Sequence, residues 1–137
     1  MNHDTLTVLG AGTMGHGIAQ VAAMAGYETR LFDLEPEALE AAQVRIASNL
    51  AKGIKRGKVD PKEVERTRDA LSMTTDLAEA TNGASVVIEA VPEKLALKQN
   101  LLLECANLTS HGVLLASNTS SLSISRIAHK VPSPQRV

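Results

Sequence analysis

Close to its start the chain reads Thr7-Val8-Leu9-Gly10-Ala11-Gly12-Thr13-Met14-Gly15-His16-Gly17-Ile18-Ala19, the stretch that decides its fold. This stretch places a G-x-G-x-x-G triplet between a short apolar run and a run with helical periodicity, which predicts a strand, a tight turn and a helix. Gly10 turns the chain, Gly12 lets the backbone approach a ligand, and Gly15 lets the helix pack closely on the strand. Because free N–H groups at the start of a helix attract anions, the pattern predicts a dinucleotide phosphate site.

The composition limits the class of protein. With 137 residues, 44% of them hydrophobic, the chain has the length of one domain, 1–137, and enough apolar side chains for a core. Its 14 basic and 15 acidic residues give a formal net charge of −1. The sequence contains no basic run of the kind that binds nucleic acid, so we expect no nucleic-acid partner. The single cysteine, Cys105, and the absence of metal-ligand spacings predict a reducing compartment and no metal.

The N-terminus favours a cytoplasmic protein. Residues Met1 to Asp4 lack the basic region of a signal peptide. No apolar run approaches the roughly 20 residues that a membrane span requires, so we expect no membrane association. Removal of an organellar presequence is an open alternative.

Predicted strands and helices alternate along the chain. Apolar periodicity and turn residues predict strands over Leu6–Leu9, Glu28–Asp33, Leu71–Thr74, Ser85–Ala90 and Val113–Ala116. Helices are predicted over Thr13–Ala25, Glu37–Lys52, Pro61–Asp69, Leu95–Leu108 and Ser123–Lys130, with Asp60 as the N-cap of the third. This alternation predicts an α/β fold, a Rossmann-type doubly wound parallel sheet with a helical excursion after the second strand. Ligands of such sheets bind at the carboxyl ends of the strands.

Asp33 ends the second predicted strand, where a carboxylate about twenty residues beyond the glycines binds the ribose hydroxyls of NAD. The alternative is an ordinary capping or solvated acid of a turn. A carboxylate repels a 2′-phosphate, and Leu34-Glu35 adds a second acid rather than an arginine. Arg30 lies too early in the strand to bind such a phosphate. The sequence therefore predicts NAD rather than NADP as the cofactor.

Polar residues also follow the fourth and fifth predicted strands. Glu89, Glu93 and Lys98 lie around the end of the fourth strand, and they could equally be helix-entry acids with a surface lysine. Asn118 and Ser120 follow the fifth strand, where an ordinary capped loop is the alternative. Their position at a strand end makes both of them candidate hydrogen-bond donors to nicotinamide or to a substrate oxygen.

None of the histidines is predicted to be a catalytic base. His16 lies in the first helical turn and faces solvent or the cofactor edge, and His111 lies in a helix-to-strand loop. His129 lies late in a helix, where a charge partner of the helix C-terminus is the expected role. The spacing of Cys105 predicts a packed apolar side chain.

Three runs coincide in order and spacing: Gly10 to Ala19, then Ile88-Glu89-Ala90-Val91-Pro92-Glu93 with Lys98, then Ala116-Ser117-Asn118-Thr119-Ser120-Ser121-Leu122. Together they resemble the NAD-binding domain of the L-3-hydroxyacyl-CoA dehydrogenase family, which includes 3-hydroxybutyryl-CoA dehydrogenases, over essentially the whole chain. The resemblance implies interconversion of (S)-3-hydroxyacyl-CoA and 3-oxoacyl-CoA by hydride transfer with NAD, in fatty-acid metabolism such as β-oxidation.

The resemblance also implies roles for individual residues. Asn118 matches an active-site amide, and Ser120 matches a serine near both nicotinamide and substrate, so both would support catalysis. Ser48 and Lys55 match the coenzyme A contacts, although Lys55 could also be a solvated helix lysine. The residues implied near NAD are Gly10, Gly12, Thr13, Met14, Gly15, Asp33, Ala90, Glu93, Lys98, Asn118 and Ser120.

The catalytic histidine of the family lies in a His-Phe-Phe-Asn-Pro stretch that follows a motif like Gln135-Arg136-Val137, and this chain ends at Val137. We therefore expect a C-terminally truncated N-terminal domain that lacks the helical C-terminal domain and is inactive alone. The intact enzyme is expected to be a homo-oligomer, and an edge of the sheet left open could associate. Two alternatives remain: a carnitine or L-gulonate dehydrogenase of the same superfamily, or a stand-alone nucleotide-binding or regulatory module. The Ser117 to Ser121 run favours the acyl-CoA enzymes.

Overall fold

A computed structural model describes residues 4–137, so the N-terminal positions Met1 to His3 used in the localisation argument lie outside the described residues. The strands are β1 Thr5–Leu9, β2 Glu28–Phe32, β3 Leu71–Thr74, β4 Ala84–Glu89 and β5 Leu114–Ser117. The α-helices are α1 Thr13–Met24, α2 Pro36–Lys55, α3 Pro61–Ala70, α4 Leu77–Thr81, α5 Leu95–Leu108 and α6 Ile124–Ile127. Two short 3-10 helices follow, Ala128–Lys130 and Pro134–Arg136.

The five strands form one parallel sheet in the order β3-β2-β1-β4-β5. This order confirms the predicted doubly wound fold, because the chain moves outward from β1 in one direction and then from β4 in the other. The direction reverses between β1 and β4, whose carboxyl ends are Leu9 and Glu89. A crevice opens at such a reversal, so the topology locates the expected ligand site.

Both faces of the sheet are packed. On one face, Val8 and Leu31 contact residues of α1 and α2, and on the other face Val87 and Leu115 pack with Leu102 of α5. All of these side chains are fully buried. The α2–α3 excursion has its own small cluster of Ile46, Leu50 and Val64. In β4, Val87 is buried under α5, whereas Val86 and Ile88 on the opposite face are half-buried.

Most predicted elements are confirmed, with bounds that move by up to three residues. Asp33 and Ala90 lie just beyond β2 and β4 rather than inside them, and α2 is longer than predicted at both ends. The short helix α4 is missing from the prediction because five residues are too few to show a helical period. Its N-cap, Asp76, accepts hydrogen bonds from the N–H groups of Ala78 and Glu79.

The helix predicted over Ser123–Lys130 is confirmed as a helical segment, but it is not one uniform α-helix. The structure has a four-residue α-helix, Ile124–Ile127, followed by the 3-10 helix Ala128–Lys130. The backbone becomes extended at Val131, directly before Pro132, where an α-helix is sterically disfavoured. The last turn tightens to a 3-10 geometry, which is a common way for a helix to end.

The described sheet has two edges, β3 and β5. Leu114 of β5 pairs in register with Val86 of β4, and its side chain is 51% exposed. On the face of the sheet that carries Leu114 and Val86, a shallow and mainly apolar groove of about 560 Å³ lies between α1, β1 and β4. Residues such as Leu6, Val21 and Ile88 line it. Among residues 4–137, no helix has both the length and the apolar content needed to cross a membrane.

Candidate cofactor-binding site

The glycine turn joins β1 to α1 at the reversal point of the sheet. Gly10 has a φ of 99°, which side chains rarely allow, and a Cβ there would lie 2.8 Å from the carbonyl oxygen of Ala90. A Cβ on Gly15 would lie 1.6 Å from the carbonyl oxygen of Gly10. These two contacts confirm that Gly10 turns the chain and that Gly15 allows α1 to pack against the turn.

Gly12 is the N-cap of α1, and no side chain of the described residues caps this helix. A Cβ on Gly12 would meet nothing within 4 Å, so the space beside it is open. The first N–H groups of a helix have no partner within the helix, and here they belong to Thr13, Met14 and Gly15. An uncapped helix start beside open space fits a phosphate group, and these backbone groups would hold a pyrophosphate.

Asp33 is held by the backbone on both sides. One carboxylate oxygen accepts a hydrogen bond from the N–H of Ala11 at 2.9 Å, and the other accepts from the N–H of Glu35 at 2.9 Å. The carboxylate is therefore fixed beside the glycine turn, and each oxygen keeps capacity for a further donor. This arrangement fits two ribose hydroxyls.

Arg30 is engaged away from the glycine turn. Its guanidinium donates to the carbonyl oxygens of Glu79, at 3.0 Å, and Asn82, and it forms an ion pair of 3.6 Å with Glu28. The groups next to Asp33 are the exposed Leu34 and Glu35, as the sequence indicates. The surroundings of Asp33 therefore carry negative charge, which disfavours a 2′-phosphate.

One cleft brings together many of the predicted cofactor residues. It has a volume of about 560 Å³ and lies between the glycine turn, the end of β2 and the segment that follows β4. Gly15 packs beneath the turn rather than lining the cleft. The predicted residues that do line it are Gly10, Gly12, Thr13, Met14, Asp33 and Ala90.

A buried ion pair lies behind the end of β4. The side chains of Glu89 and Lys98 are 0% and 1% exposed, and Nζ of Lys98 lies 2.8 Å from each carboxylate oxygen of Glu89. The same ammonium group donates to the carbonyl oxygen of Val91 at 3.2 Å and lies 3.0 Å from Glu93. The alternative of a surface lysine is therefore wrong, because Lys98 is enclosed by its partners.

Glu93 connects this ion pair to the loop after β5. Its second carboxylate oxygen accepts hydrogen bonds of 2.8 Å from the hydroxyls of Thr119 and Ser121. The contact with Lys98 and these two hydroxyls lower the pKa of Glu93 to about 2, well below the ordinary value of a glutamate. The carboxylate is therefore ionised throughout the physiological pH range.

Asn118 and Ser120 lie on this loop with exposed side chains. Their backbone N–H groups are used, that of Asn118 by the carbonyl oxygen of Glu89 at 2.9 Å and that of Ser120 by Glu93 at 3.4 Å. Neither side chain makes a hydrogen bond to another described residue, so both are available to a ligand. Ser48 and Lys55 lie outside this region, exposed on the second half of α2.

The contact between Ser117 and Glu89 is a part of the site that the sequence does not predict. The hydroxyl of Ser117 donates to Glu89, and the two residues are register partners at the ends of β5 and β4. Two polar residues that end adjacent parallel strands are a signal for such a pair, but the burial of the pair cannot be predicted from this signal.

As predicted, Cys105 packs in the core, where burial raises the pKa of its thiol to about 12. Nδ1 of His16 lies 2.9 Å from the carbonyl oxygen of Gly12.

The parallel sheet, the glycine turn at its reversal point and the carboxylate after β2 define a dinucleotide-binding domain of the α/β class. Residues 5–137 match the family model described as "3-hydroxyacyl-CoA dehydrogenase, NAD binding domain". The chain therefore belongs to the 3-hydroxyacyl-CoA dehydrogenase family, and its residues 5–137 correspond to the NAD-binding domain of that family.

Known relatives agree with this assignment. The chain is 41% identical over its whole length to the 3-hydroxyadipyl-CoA dehydrogenase of Escherichia coli K12, of which it covers 29%. It is 40% identical over 95% of its length to a 3-hydroxybutyryl-CoA dehydrogenase of Mycobacterium tuberculosis, of which it covers 46%. A crystal structure of 3-hydroxybutyryl-CoA dehydrogenase from Escherichia coli K12 superposes with a TM-score of 0.94 at 40% identity, covering all of this chain and 29% of the other. The chain thus spans less than half the length of these relatives.

Proposed function

We propose that this chain is the cofactor-binding part of an enzyme that interconverts (S)-3-hydroxyacyl-CoA and 3-oxoacyl-CoA. The reaction follows from the family match, and the observation that carries the cofactor assignment is the fixed position of Asp33 against the N–H of Ala11, in the same cleft as the uncapped start of α1. NAD, when bound, accepts or donates the hydride. The backbone N–H groups of Thr13 and Met14 hold its pyrophosphate, and Asp33 accepts hydrogen bonds from its ribose hydroxyls.

The loop after β5 faces the reacting end of the ligands. Asn118 and Ser120 offer free side-chain donors there, and Glu93 and Lys98 hold the loop beside the end of β4. A serine or amide donor positions a carbonyl oxygen but does not remove the hydroxyl proton at neutral pH. We assign Asn118 and Ser120 to supporting roles, and the general base to a histidine that lies outside residues 1–137.

The exposed face of α2 is the proposed contact of coenzyme A. Ser48 and Lys55 are seven positions apart, so they lie two turns apart on one side of the helix. α2 has 20 residues and begins at the cleft, so its far end is about 30 Å away. A ligand that contacts Lys55 and also reaches the cleft must be long and flexible, as the pantetheine arm of coenzyme A is.

We further propose that residues 1–137 form one N-terminal domain of a longer cytoplasmic protein that acts as a homo-oligomer in fatty-acid metabolism. The coverage of relatives supports a longer protein. Reading the gene beyond codon 137 tests this point. A continuing frame with a His-Phe-Phe-Asn-Pro stretch supports it, whereas a stop codon favours a stand-alone nucleotide-binding module.

The cofactor assignment is tested by titrating the purified protein with NADH and following its fluorescence. We expect saturable binding that is weakened at least about tenfold by Asp33→Ala, because the variant loses an oriented charge-assisted acceptor. Asp33→Ala should also narrow the preference for NADH over NADPH. Asp69→Ala, which removes an exposed acid from the end of α3, is the matched control and should bind normally. Absence of saturable NADH binding to the unaltered protein would refute the proposal.

A further inference from the structure

The buried carboxylate of Glu89 occupies the point where the end of β4, the end of β5 and helix α5 meet. One oxygen accepts from Nζ of Lys98 and the hydroxyl of Ser117, and the other accepts from Nζ of Lys98 and the N–H of Val91. These bonds occupy the acceptor sites that two carboxylate oxygens provide. With a fully buried side chain, Glu89 cannot also contact a ligand.

Lys98 connects the buried Glu89 to the exposed Glu93. Its ammonium group has three protons, and they are shared among Glu89, Glu93 and the carbonyl oxygen of Val91. A buried ammonium held in this way costs much less free energy than an unpaired one, so removing the charge of Glu89 disturbs the whole group. Glu93 is the only one of the three partners that is exposed and touches the next loop.

The loop after β5 is held at alternate residues. The hydroxyls of Ser117, Thr119 and Ser121 donate to the two carboxylates, Ser117 to the buried Glu89 and the other two to the exposed Glu93. The residues between them, Asn118 and Ser120, are left with exposed side chains. These contacts therefore leave the side chains of Asn118 and Ser120 free for a ligand at the carboxyl ends of β4 and β5.

From these contacts we infer that Glu89 is a positioning residue, which with Ser117 and Lys98 holds Asn118 and Ser120 in place for the nicotinamide end of the cofactor. The inference rests on the proposed function, since it concerns the same site. The cofactor site then has two parts. The glycine turn and Asp33 bind the ADP-ribose part, and the group around Glu89 acts mainly on the loop at the other end, with one contact to the cleft through Val91.

The test compares NADH with ADP-ribose, which lacks nicotinamide, as ligands of Glu89→Gln. We expect NADH affinity to fall about tenfold and ADP-ribose affinity to fall much less, because the loop that loses its fixed position contacts only the nicotinamide end and then binds with a larger entropic cost. Glu104→Gln, an exposed position on α5, is the matched control and should bind both ligands normally. A general loss of structure would weaken both ligands together.

A second variant covers the case in which Glu89→Gln does not fold. Ser117→Ala leaves the ion pair intact and removes a single hydroxyl, and it should show a smaller loss for NADH with none for ADP-ribose. In a double-mutant cycle, Glu89→Gln should cost less NADH affinity when Ser120 is already alanine. Equal losses for both ligands, or no loss for either, would overturn the inference. Failure of the unaltered protein to bind either ligand would instead refute the proposed function, and this inference with it.

Discussion

At the scale of single residues, the glycine turn requires a position that carries no Cβ atom. Gly15 and Gly17 lie in the same helix, two positions apart, yet they face different surroundings. A Cβ on Gly15 would overlap the carbonyl oxygen of Gly10, whereas a Cβ on Gly17 would meet nothing within 4 Å. Only the first glycine is required by packing.

The pair gives a controlled experiment on stability. Gly15→Ala should reduce the free energy of unfolding by about 3 kcal/mol, because the backbone of the turn must move to admit a methyl group. Gly17→Ala should leave it unchanged or raise it by up to about 1 kcal/mol, since alanine favours helix more than glycine does. Urea unfolding followed by circular dichroism measures both. Equal effects of the two variants would contradict the packing role of Gly15.

The low pKa of Glu93 gives a dependence on pH. A carboxyl group whose pKa falls on folding stabilises the fold fully above its unfolded value of about 4.3, and this contribution disappears as the pH falls through the folded value. For Glu93 the folded pKa is about 2, so its contacts with Thr119 and Ser121 should persist at pH 3.5.

Carbon-13 NMR of the Glu93 carboxyl group measures this titration directly. The resonance should have its midpoint near 2, and it should be missing from the Glu93→Gln variant, which identifies the signal. A midpoint close to the ordinary glutamate value would show that Lys98 and the two hydroxyls do not hold the carboxylate in solution.

At the scale of elements, the five strands and the longer helices can be predicted from the sequence, whereas the helices of four or five residues cannot. The glycine turn, the strands and Asp60 as the cap of α3 were all readable, because each depends on residues that are close in sequence. The burial of Lys98 cannot be predicted from the sequence. It depends on Glu89 and on the carboxyl ends of strands that are distant in sequence and meet only in the folded sheet. The helix α4 was missed for its length, although Asp76 marked its start.

The cap of α3 allows a direct test of an element. The side chain of Asp60 accepts a hydrogen bond of 2.8 Å from the N–H of Lys62. Asp60→Ala leaves that N–H group without a side-chain partner and should lower the free energy of unfolding by about 1 kcal/mol. Asp69→Ala, in the last turn of the same helix, is the control and should not destabilise. Chemical denaturation of the two variants makes the comparison.

At the scale of the whole molecule, the region around β5 is packed at one place and exposed to solvent at another. Arg136 ties the chain end to the α5–β5 connection by donating to the carbonyl oxygen of Val113 at 3.0 Å and to the hydroxyl of Thr109 at 2.7 Å. Beside it, β5 is an edge strand of the described sheet, and its Leu114 is half exposed. Exposed apolar edges promote pairing with other chains.

We therefore expect purified residues 1–137 to associate as concentration rises, as measured by light scattering. Leu114→Lys should reduce the association by placing a charge on the edge strand. Leu108→Lys provides the control, because Leu108 is exposed to a similar extent, 47% against 51% for Leu114, but lies on helix α5. Equal suppression by both variants would show that the edge strand is not the contact.

The strand order also has a consequence for synthesis on the ribosome. The first of the five described strands to be made, β1, lies in the centre of the sheet, and its neighbour β4 is made only after four helices and two further strands. Parallel pairing between such distant segments closes slowly, so the nascent chain carries an incompletely paired apolar strand for much of its translation. The strand that lies at the centre of the finished sheet is therefore the one that waits longest for its second neighbour while the chain is being made.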